Sequence, residues 1–274
     1  MKRITGCRFN GVYLFLSVIS LVALVPFYIM FVMGTYRSEK LFTGLPLWVS
    51  NYLGVNLATV LKGHFLRSYL NSMFVSTVSA AVCLFTSVCA AFALAKYRFR
   101  LKVFIQNIIL LGMMLPAQIA IIGYIIELRA MHLTNTLASV VYIWVANPFS
   151  VFFMTQFMRS SVPDEMLESA RMDGTSEPRI LISIVVPCIK AGCITVVTLI
   201  FLWSWNSYLL PLIVINKQAS YTLPLMIANI AVAYRQDYGA QMLALTLSTF
   251  PIVILYTLGS KYFINGITAG AVKG

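Results

Sequence analysis

Residues 69–95 read YLNSMFVSTVSAAVCLFTSVCAAFALA, an apolar segment without a single charged side chain. A helix needs about 20 residues to cross the roughly 30 Å hydrocarbon core of a bilayer, so this segment is long enough to span one. Further apolar segments lie at about 12–34, 103–127, 136–158, 191–215 and 240–264. The sequence therefore predicts an all-α integral membrane protein with six transmembrane helices.

The composition agrees with embedding in a membrane. Hydrophobic residues make up 60% of the chain and charged residues 10%, and the mean hydropathy is +0.87. The loops between the apolar segments are too short to bury a soluble core, so we expect a single transmembrane domain over residues 1–274. The first apolar segment is too long for a cleaved secretory signal and is interpreted as the first span.

Lysine and arginine are unevenly distributed between the two sides that six spans define. Thirteen lie on the side that carries both termini, and seven lie on the opposite side. Because an excess of these residues marks cytoplasmic segments, both termini and the loop 159–190 are predicted to be cytoplasmic. The net charge of +12 then reflects membrane topology, and nucleic acid is not an expected partner.

Proline and small polar residues punctuate the predicted spans. In residues 72–87, hydroxyl and thiol side chains recur at steps of three or four, which is typical of a face that packs against another helix. Proline removes a helical hydrogen bond, so kinks are expected where it falls within or beside a span. These positions are Pro26, Pro116, Pro148, Pro211 and Pro251.

The loop at 161–187 reads SVPDEMLESARMDGTSEPRILISIVVP and holds five of the eight carboxylates. Ser161 suits an N-cap, and the two acidic residues after the following proline lie near the positive end of a helix dipole. Glu168 is placed for an i,i+3 contact with Arg171, and Gly174 is suited to end the helix in the left-handed conformation. A second helix start follows this glycine, so the loop is predicted to form a helix-turn-helix.

This loop resembles the E-A-A-x-x-D-G…L-P loop of permease subunits of ATP-binding cassette (ABC) importers. The matching residues are Glu168, Ala170, Asp173, Gly174 and Pro187, with Ser169 and Val186 in place of an alanine and the leucine. Other segments resemble carbohydrate-type permeases: RSYLNSMFVS (67–76), AFALAKYRFR (91–100), LWSWNSYLLPLIV (202–214) and YTLP (221–224). The ending GITAGAVKG (266–274) is similar to that of the smaller permease subunit of the maltose importer.

The resemblance implies a transport subunit with the type I importer permease fold, and not an enzyme. Such a subunit moves a sugar or sugar-like solute across the bacterial cytoplasmic (inner) membrane. The implied partners are a second, homologous permease subunit, a dimer of ABC ATPase subunits and an extracytoplasmic sugar-binding protein. ATP and Mg²⁺ would be bound by the ATPase, because this chain contains no G-x-x-x-x-G-K-[ST] phosphate loop. No cofactor is expected in the chain itself.

The resemblance also implies which residues meet the ATPase. The short loop helix would dock in a cleft of the ATPase, where Glu168 makes polar contacts and Gly174 allows the turn. Ala170, Arg171, Asp173 and Pro187 complete this predicted coupling site. The C-terminal tail would reach between the ATPase subunits, and its residues are Ala269, Gly270, Ala271, Val272, Lys273 and Gly274.

The fifth span carries side chains that suit a sugar. Aromatic rings offer flat faces to a sugar ring, and amides or hydroxyls bond its hydroxyl groups. Trp205, Asn206 and Tyr208 are the candidates, although anchoring at the membrane interface also accounts for the aromatic residues. The outer loops 35–68 and 216–239 are the candidates for contact with the binding protein.

Two other classes of function stay open. A secondary transporter or channel independent of an ATPase is expected to place ionisable groups at membrane depth. Only Glu127 approaches this, beside Arg129 at a predicted boundary. An intramembrane enzyme would need a nucleophile with a base or clustered metal ligands, and His64 and His132 are far apart in the sequence.

Overall fold

The computed structural model describes residues 5–230 and 237–257, and every regular element within these ranges is helical. The predicted all-α fold class is therefore confirmed. A π-helical segment, Leu181–Val185, joins two of the short helices. The helices are α1 (Thr5–Met33), α2 (Leu53–Lys62), α3 (Phe65–Lys96), α4 (Lys102–Met114), α5 (Ala117–Ala130), α6 (Leu137–Tyr142), α7 (Pro148–Ser161), α8 (Asp164–Met172), α9 (Glu177–Ile180), α10 (Val186–Cys188), α11 (Lys190–Trp205), α12 (Leu209–Val214), α13 (Leu223–Ile230) and α14 (Tyr238–Ser248).

Three helices in the described ranges are long and apolar enough to cross a membrane: Gly11–Met33, Phe65–Lys96 and Tyr238–Thr257. Two bent pairs, α4 with α5 and Glu177–Cys188 with α11, raise the number to five if each pair is counted as one span. The segment 136–158 is divided between α6 and α7 instead of forming one helix. The count of six spans and the single-domain assignment stay predictions.

Prolines mark some of these interruptions. Pro116 separates α4 from α5, and the two helices meet at 111°. Pro148 is at the start of α7, where the Asn147 side chain accepts a hydrogen bond of 2.9 Å from the Ser150 amide. Pro26, in contrast, lies inside a single continuous helix. Proline lacks an N–H group, and it therefore fits the start of a helix, where no partner for that group is needed. Pro116 and Pro148 lie at such positions.

The described residues divide into two compact units: residues 5–66 with 226–230 and 237–250, and residues 67–225 with 251–257. In the first unit, α14 packs against α1 and α2. Asn56, fully buried on α2, donates hydrogen bonds of 2.8 Å to the Gly34 carbonyl and 2.9 Å to the Tyr36 carbonyl. This one amide side chain therefore fixes the path of the backbone that leaves α1.

The second unit has a buried core between α3, α5, α6 and α12. Tyr124, Leu128, Val140 and Leu210 are among its members. Polar side chains hold the connections around this core: the Asn71 side chain, for example, donates to the carbonyl of Tyr221 at 2.9 Å. In the same unit α7 packs against α4 and α11, and α8 follows directly after α7. This arrangement places the charged loop between the ends of two apolar helices.

Candidate coupling site

The charged loop contains the predicted helix, but its N-terminus differs from the prediction. Ser161 does not cap α8, because it is the last residue of α7. Pro163 precedes α8 instead, with φ −63° and ψ 143°, and no side chain caps the helix. The extended conformation of Val162 and Pro163 ends one helix and starts the next within two residues.

The C-terminus of α8 is formed as predicted. Gly174 has a φ of +74° and is the only glycine with positive φ among the described residues. Its amide donates to the Arg171 carbonyl at 3.0 Å, and the Thr175 amide donates to the Ala170 carbonyl at 3.0 Å. These bonds satisfy carbonyls that the helix end would leave free. The left-handed helix stop at Gly174 is confirmed.

Arg171 has a different partner from the one predicted. Its Nε atom lies 2.7 Å from Oε1 of Glu177, and its Nη2 atom donates to Oε2 at 3.3 Å. The guanidinium also lies 5.6 Å from the centre of the Tyr97 ring, and the Tyr97 hydroxyl donates to Glu177 Oε2. Arg171 therefore ties the two helices of the loop together, and the predicted contact with Glu168 is replaced by a contact across the turn.

Lys96 forms a second attachment, at the other end of α8. The Lys96 ammonium lies 2.6 Å from Asp164 Oδ1 and also donates to the Val162 carbonyl, and its side chain is only 5% exposed. Neither Lys96 nor Tyr97 was predicted to act in the site, although both lie in the quoted segment AFALAKYRFR. The only indication in the sequence was that a basic and an aromatic residue, Lys96 and Tyr97, lie at the end of an apolar helix. Together with Asp164, Arg171 and Glu177 they form what we call the α3 clamp.

The two carboxylates of the α3 clamp are ionised at neutral pH, because both have lowered pKa values. The hydrogen bond from Lys96 lowers the pKa of Asp164. The hydrogen bonds from Arg171 and then from Tyr97 lower the pKa of Glu177. A carboxylate with a lowered pKa stabilises the folded state above its ordinary pKa, and this stabilisation is lost as the pH falls through the lowered value. The ion pairs of the clamp are therefore strongest at neutral pH and weaken in acid.

One face of α8 is exposed. Leu167 and Ala170 are buried, so one side of the helix packs inward. Glu168 and Asp173 are exposed on the other side. Met172 is 88% exposed at the tip. Met172 lies between the carboxylates of Glu168 and Asp173 in the sequence, and a flexible apolar side chain of this kind adapts well to the surface of a partner protein. The sequence analysis did not single out Met172.

The remaining predicted coupling residue lies on a different helix. Pro187 is exposed on α10, just before the chain bends by 83° into α11. The π-helical segment before α10 and this bend direct the chain from the loop into the apolar part of α11. Pro187 therefore belongs to the connection between loop and span. The predicted tail residues Ala269 to Gly274 lie outside the described residues.

The residues predicted to contact a solute do not form one surface. Trp205 is only 2% exposed, because it stacks on Phe201 and meets the edge of Tyr69 with ring centres 5.8 Å and 5.5 Å apart. Asn206 is exposed, and its side-chain amide donates to the Leu202 carbonyl at 2.9 Å. Tyr208 is exposed as well. The ring of Trp205 thus serves helix packing, and only the other two are accessible in this chain.

Within residues 5–230 and 237–257 no cluster of three or more His, Cys, Asp or Glu side chains could hold a metal ion. The candidate site consists of charged and apolar contacts on a short helix that is attached at both ends. Its geometry suits docking and the transmission of force.

Comparison with known proteins agrees with this geometry. Residues 84–268 match the family described as binding-protein-dependent transport system inner membrane component. The chain belongs to this family of ABC importer permeases, and the fold class is the type I importer permease fold.

The curated relatives match over almost the whole chain. The arabinooligosaccharides transport system permease protein AraQ of Bacillus subtilis (strain 168) is 29% identical over 267 residues, covering 95% of this chain and 94% of AraQ. The multiple sugar-binding transport system permease protein MsmG of Streptococcus mutans serotype c is 27% identical over 282 residues, covering 100% of both. In the crystal structure of a bacterial ABC transporter involved in the import of the acidic polysaccharide alginate, one chain matches with a TM-score of 0.78. It is 21% identical, and the match covers 94% of this chain and 98% of that one.

Replacing Lys96 by Met tests the α3 clamp. The substitution removes the ammonium that holds Asp164 and the Val162 carbonyl but keeps an apolar side chain of similar length. Charge-assisted hydrogen bonds are the strong ones, so we expect backbone amides of residues 164–177 to exchange with deuterium about tenfold faster. Hydrogen exchange with mass spectrometry measures this. Arg100→Met, at an exposed position four residues further on, is the matched control. Equal exchange in the two variants would contradict the clamp.

Proposed function

We propose that this chain is the permease subunit of an ABC importer that moves a sugar or sugar-like solute across the inner membrane. ATP hydrolysis on a separate ATPase subunit would drive the transport. The observation that carries the proposal is α8, a short helix attached at both ends whose exposed face offers Glu168, Met172 and Asp173 to a partner. The sugar assignment is supported by relatives that are named for arabinooligosaccharides and for multiple sugars.

Coupling through α8 requires a stiff connection, and the contacts of the loop supply one. A push on the exposed face would pass through Lys96 and Tyr97 to the end of α3. It would also pass backward into α7, because only Val162 and Pro163 separate the two helices. A loop without these contacts would bend and absorb the movement, whereas a packed and paired helix moves as one body.

The proposed assembly contains a second, homologous permease subunit, a dimer of ABC ATPase subunits and an extracytoplasmic sugar-binding protein. ATP and Mg²⁺ belong to the ATPase subunits. The loop with α8 and both termini lie in the cytoplasm in this arrangement, as the excess of Lys and Arg on that side favours. Residues Ala269 to Gly274 would add a second contact to the ATPase.

The solute path is proposed to pass Asn206 and Tyr208, the two exposed candidates at the end of α11 and the start of α12. An amide and a phenol can bond sugar hydroxyls. The ring of Trp205 contacts Phe201 and Tyr69 and so holds the end of α11 in place. Trp205 would therefore position Asn206, the next residue along the chain.

Copurification and reconstitution test the proposed function. The chain is expressed with its candidate ATPase and second permease subunit, purified through a tag on this chain, and placed in lipid vesicles. We expect a stable complex whose ATP hydrolysis rises when sugar-loaded binding protein is added. Vesicles that contain this chain alone are the control, and they are expected to accumulate no solute. Accumulation by the chain alone would overturn the proposal in favour of a secondary transporter or channel.

A further inference from the structure

The loop that follows α1 exposes an unusual number of apolar side chains. Residues 42–49 read FTGLPLWV, and they are not part of a membrane-spanning helix. Trp48 is 79% exposed. Apolar area left in water costs free energy in proportion to its size, so a patch of this kind indicates contact with an apolar partner. The exposed members are Phe42, Leu45, Leu47, Trp48 and Val49.

A hydrogen bond fixes the depth of this loop relative to α1. The Tyr28 hydroxyl donates to the Leu47 carbonyl at 2.8 Å. Tyr28 lies five residues before the end of α1, which corresponds to about 7.5 Å along the helix axis. The apolar part of α1, Gly11–Met33, has 23 residues and is long enough for the whole hydrocarbon core. The loop therefore folds back along α1 to the level of the membrane interface.

One backbone group of the loop is paired with α1. A peptide carbonyl that leaves water needs a partner within the protein, and the Tyr28 hydroxyl is this partner for Leu47. Pro46 has no N–H group that would need one. Further on, the Ser50 amide donates to the Thr35 hydroxyl at 2.8 Å, which returns the chain to the end of α1.

The exposed side chains of the loop continue an apolar surface on the membrane-spanning helix α1. On α1, Val25, Phe27 and Phe31 are exposed near the same end of the helix. Only 6% of the apolar segment of α1 is buried within the chain. We propose that residues 42–49 insert into the phospholipid interface beside α1 and that Trp48 anchors them there. Tryptophan suits this place because its ring is apolar and its N–H can reach the headgroups.

Photo-crosslinking in the assembled transporter tests this proposal. A photoreactive phenylalanine derivative replaces Trp48, and the complex is reconstituted in nanodiscs that contain a fluorescent phospholipid. We expect illumination to attach the phospholipid at position 48. Position 39 is the matched control. Glu39 follows α1 as well and is exposed, but it forms an ion pair with Arg37 at 3.0 Å and so belongs to a charged part of the surface. It is expected to give no lipid product. Position 45, also exposed, provides a second reporter should position 48 disturb assembly.

Tyr28→Phe supplies the second measurement. It removes only the hydroxyl, leaves the Leu47 carbonyl without its partner, and is expected to lower lipid crosslinking at position 48 about fivefold. Crosslinks from positions 48 and 45 to the binding protein or to the second permease subunit, in place of lipid, would overturn the proposal. Unchanged lipid crosslinking in Tyr28→Phe would show that the hydrogen bond does not set the depth. Neither result depends on the transported solute.

Discussion

Gly239→Ala is expected to destabilise the unit that contains α1, α2 and α14. A methyl group at this position would lie 2.2 Å from the Tyr36 carbonyl oxygen and 2.8 Å from the Asn56 amide nitrogen. These two atoms are hydrogen-bonded to each other, and Asn56 is fully buried, so neither can move away without breaking the other's contact. Overpacking costs about 1–3 kcal/mol, and the upper end is expected here because the methyl group meets a backbone atom. Thermal unfolding of the purified complex should show a midpoint at least about 5 °C lower.

Gly54→Ala is the matched control for this prediction. Gly54 lies on α2 in the same unit, and a methyl group there would have no atom within 4 Å. Alanine is a better helix former than glycine, so this variant should be as stable as the parent chain or slightly more stable. An unfolding midpoint of Gly239→Ala equal to that of Gly54→Ala would mean that α14 can shift away from Tyr36. The packing described for this unit would then be wrong.

Features that depend only on residues close together in the sequence could be predicted. The apolar segments are long enough to define an α-helical membrane protein without any knowledge of how they pack. The stop of α8 at Gly174 could be predicted as well, because the left-handed conformation at the end of a helix strongly favours glycine. The motif around Glu168 and Asp173 then identified the family, which the comparison confirmed.

Contacts between distant parts of the chain could not be predicted. Lys96 and Asp164 are 68 residues apart, and Tyr97 and Glu177 are 80 residues apart. The local spacing favoured a pair of Glu168 with Arg171, but the chain path brings Glu177 and the Tyr97 ring to the guanidinium, which then makes two hydrogen bonds and a ring contact. A single i,i+3 pair on an exposed helix is worth only about 0.2–0.5 kcal/mol, so the longer-range set prevails.

Hydropathy also concealed two structural details. The apolar segment 136–158 looks continuous, yet Asn147 followed by Pro148 is a helix start, and α7 begins there. An aromatic residue near the end of a span suggests an interface anchor or a solute contact. Within this chain the ring of Trp205 is buried instead, because it packs against Phe201 and Tyr69. Burial of a particular ring depends on the neighbouring helices, which one segment of sequence does not define.

Gly174→Val is expected to uncouple transport from ATP hydrolysis. At a φ of +74° a β-branched side chain is strained by about 1–3 kcal/mol, although a methyl group there would meet no atom within 4 Å. The segment between α8 and α9 would relax to negative φ, which breaks the hydrogen bond from Thr175 to Ala170 and moves Glu177 away from Arg171 and Tyr97. We expect sugar uptake by vesicles to fall about tenfold, as a shift of 1.4 kcal/mol in a coupling equilibrium implies.

Gly174→Asn shows whether the left-handed backbone conformation or the glycine itself is required at this position. Asparagine adopts the left-handed conformation much more readily than valine, so this variant should keep the turn and most of the uptake. Binding of the ATPase, measured by copurification, should fall in the same order, with the valine variant weakest. If both variants transport equally well, the left-handed turn is not needed for coupling, and the pair of Lys96 with Asp164 is the remaining charged attachment of the helix. Combining Gly174→Val with Lys96→Met then tests this remaining attachment, because α8 would lose its anchors at both ends.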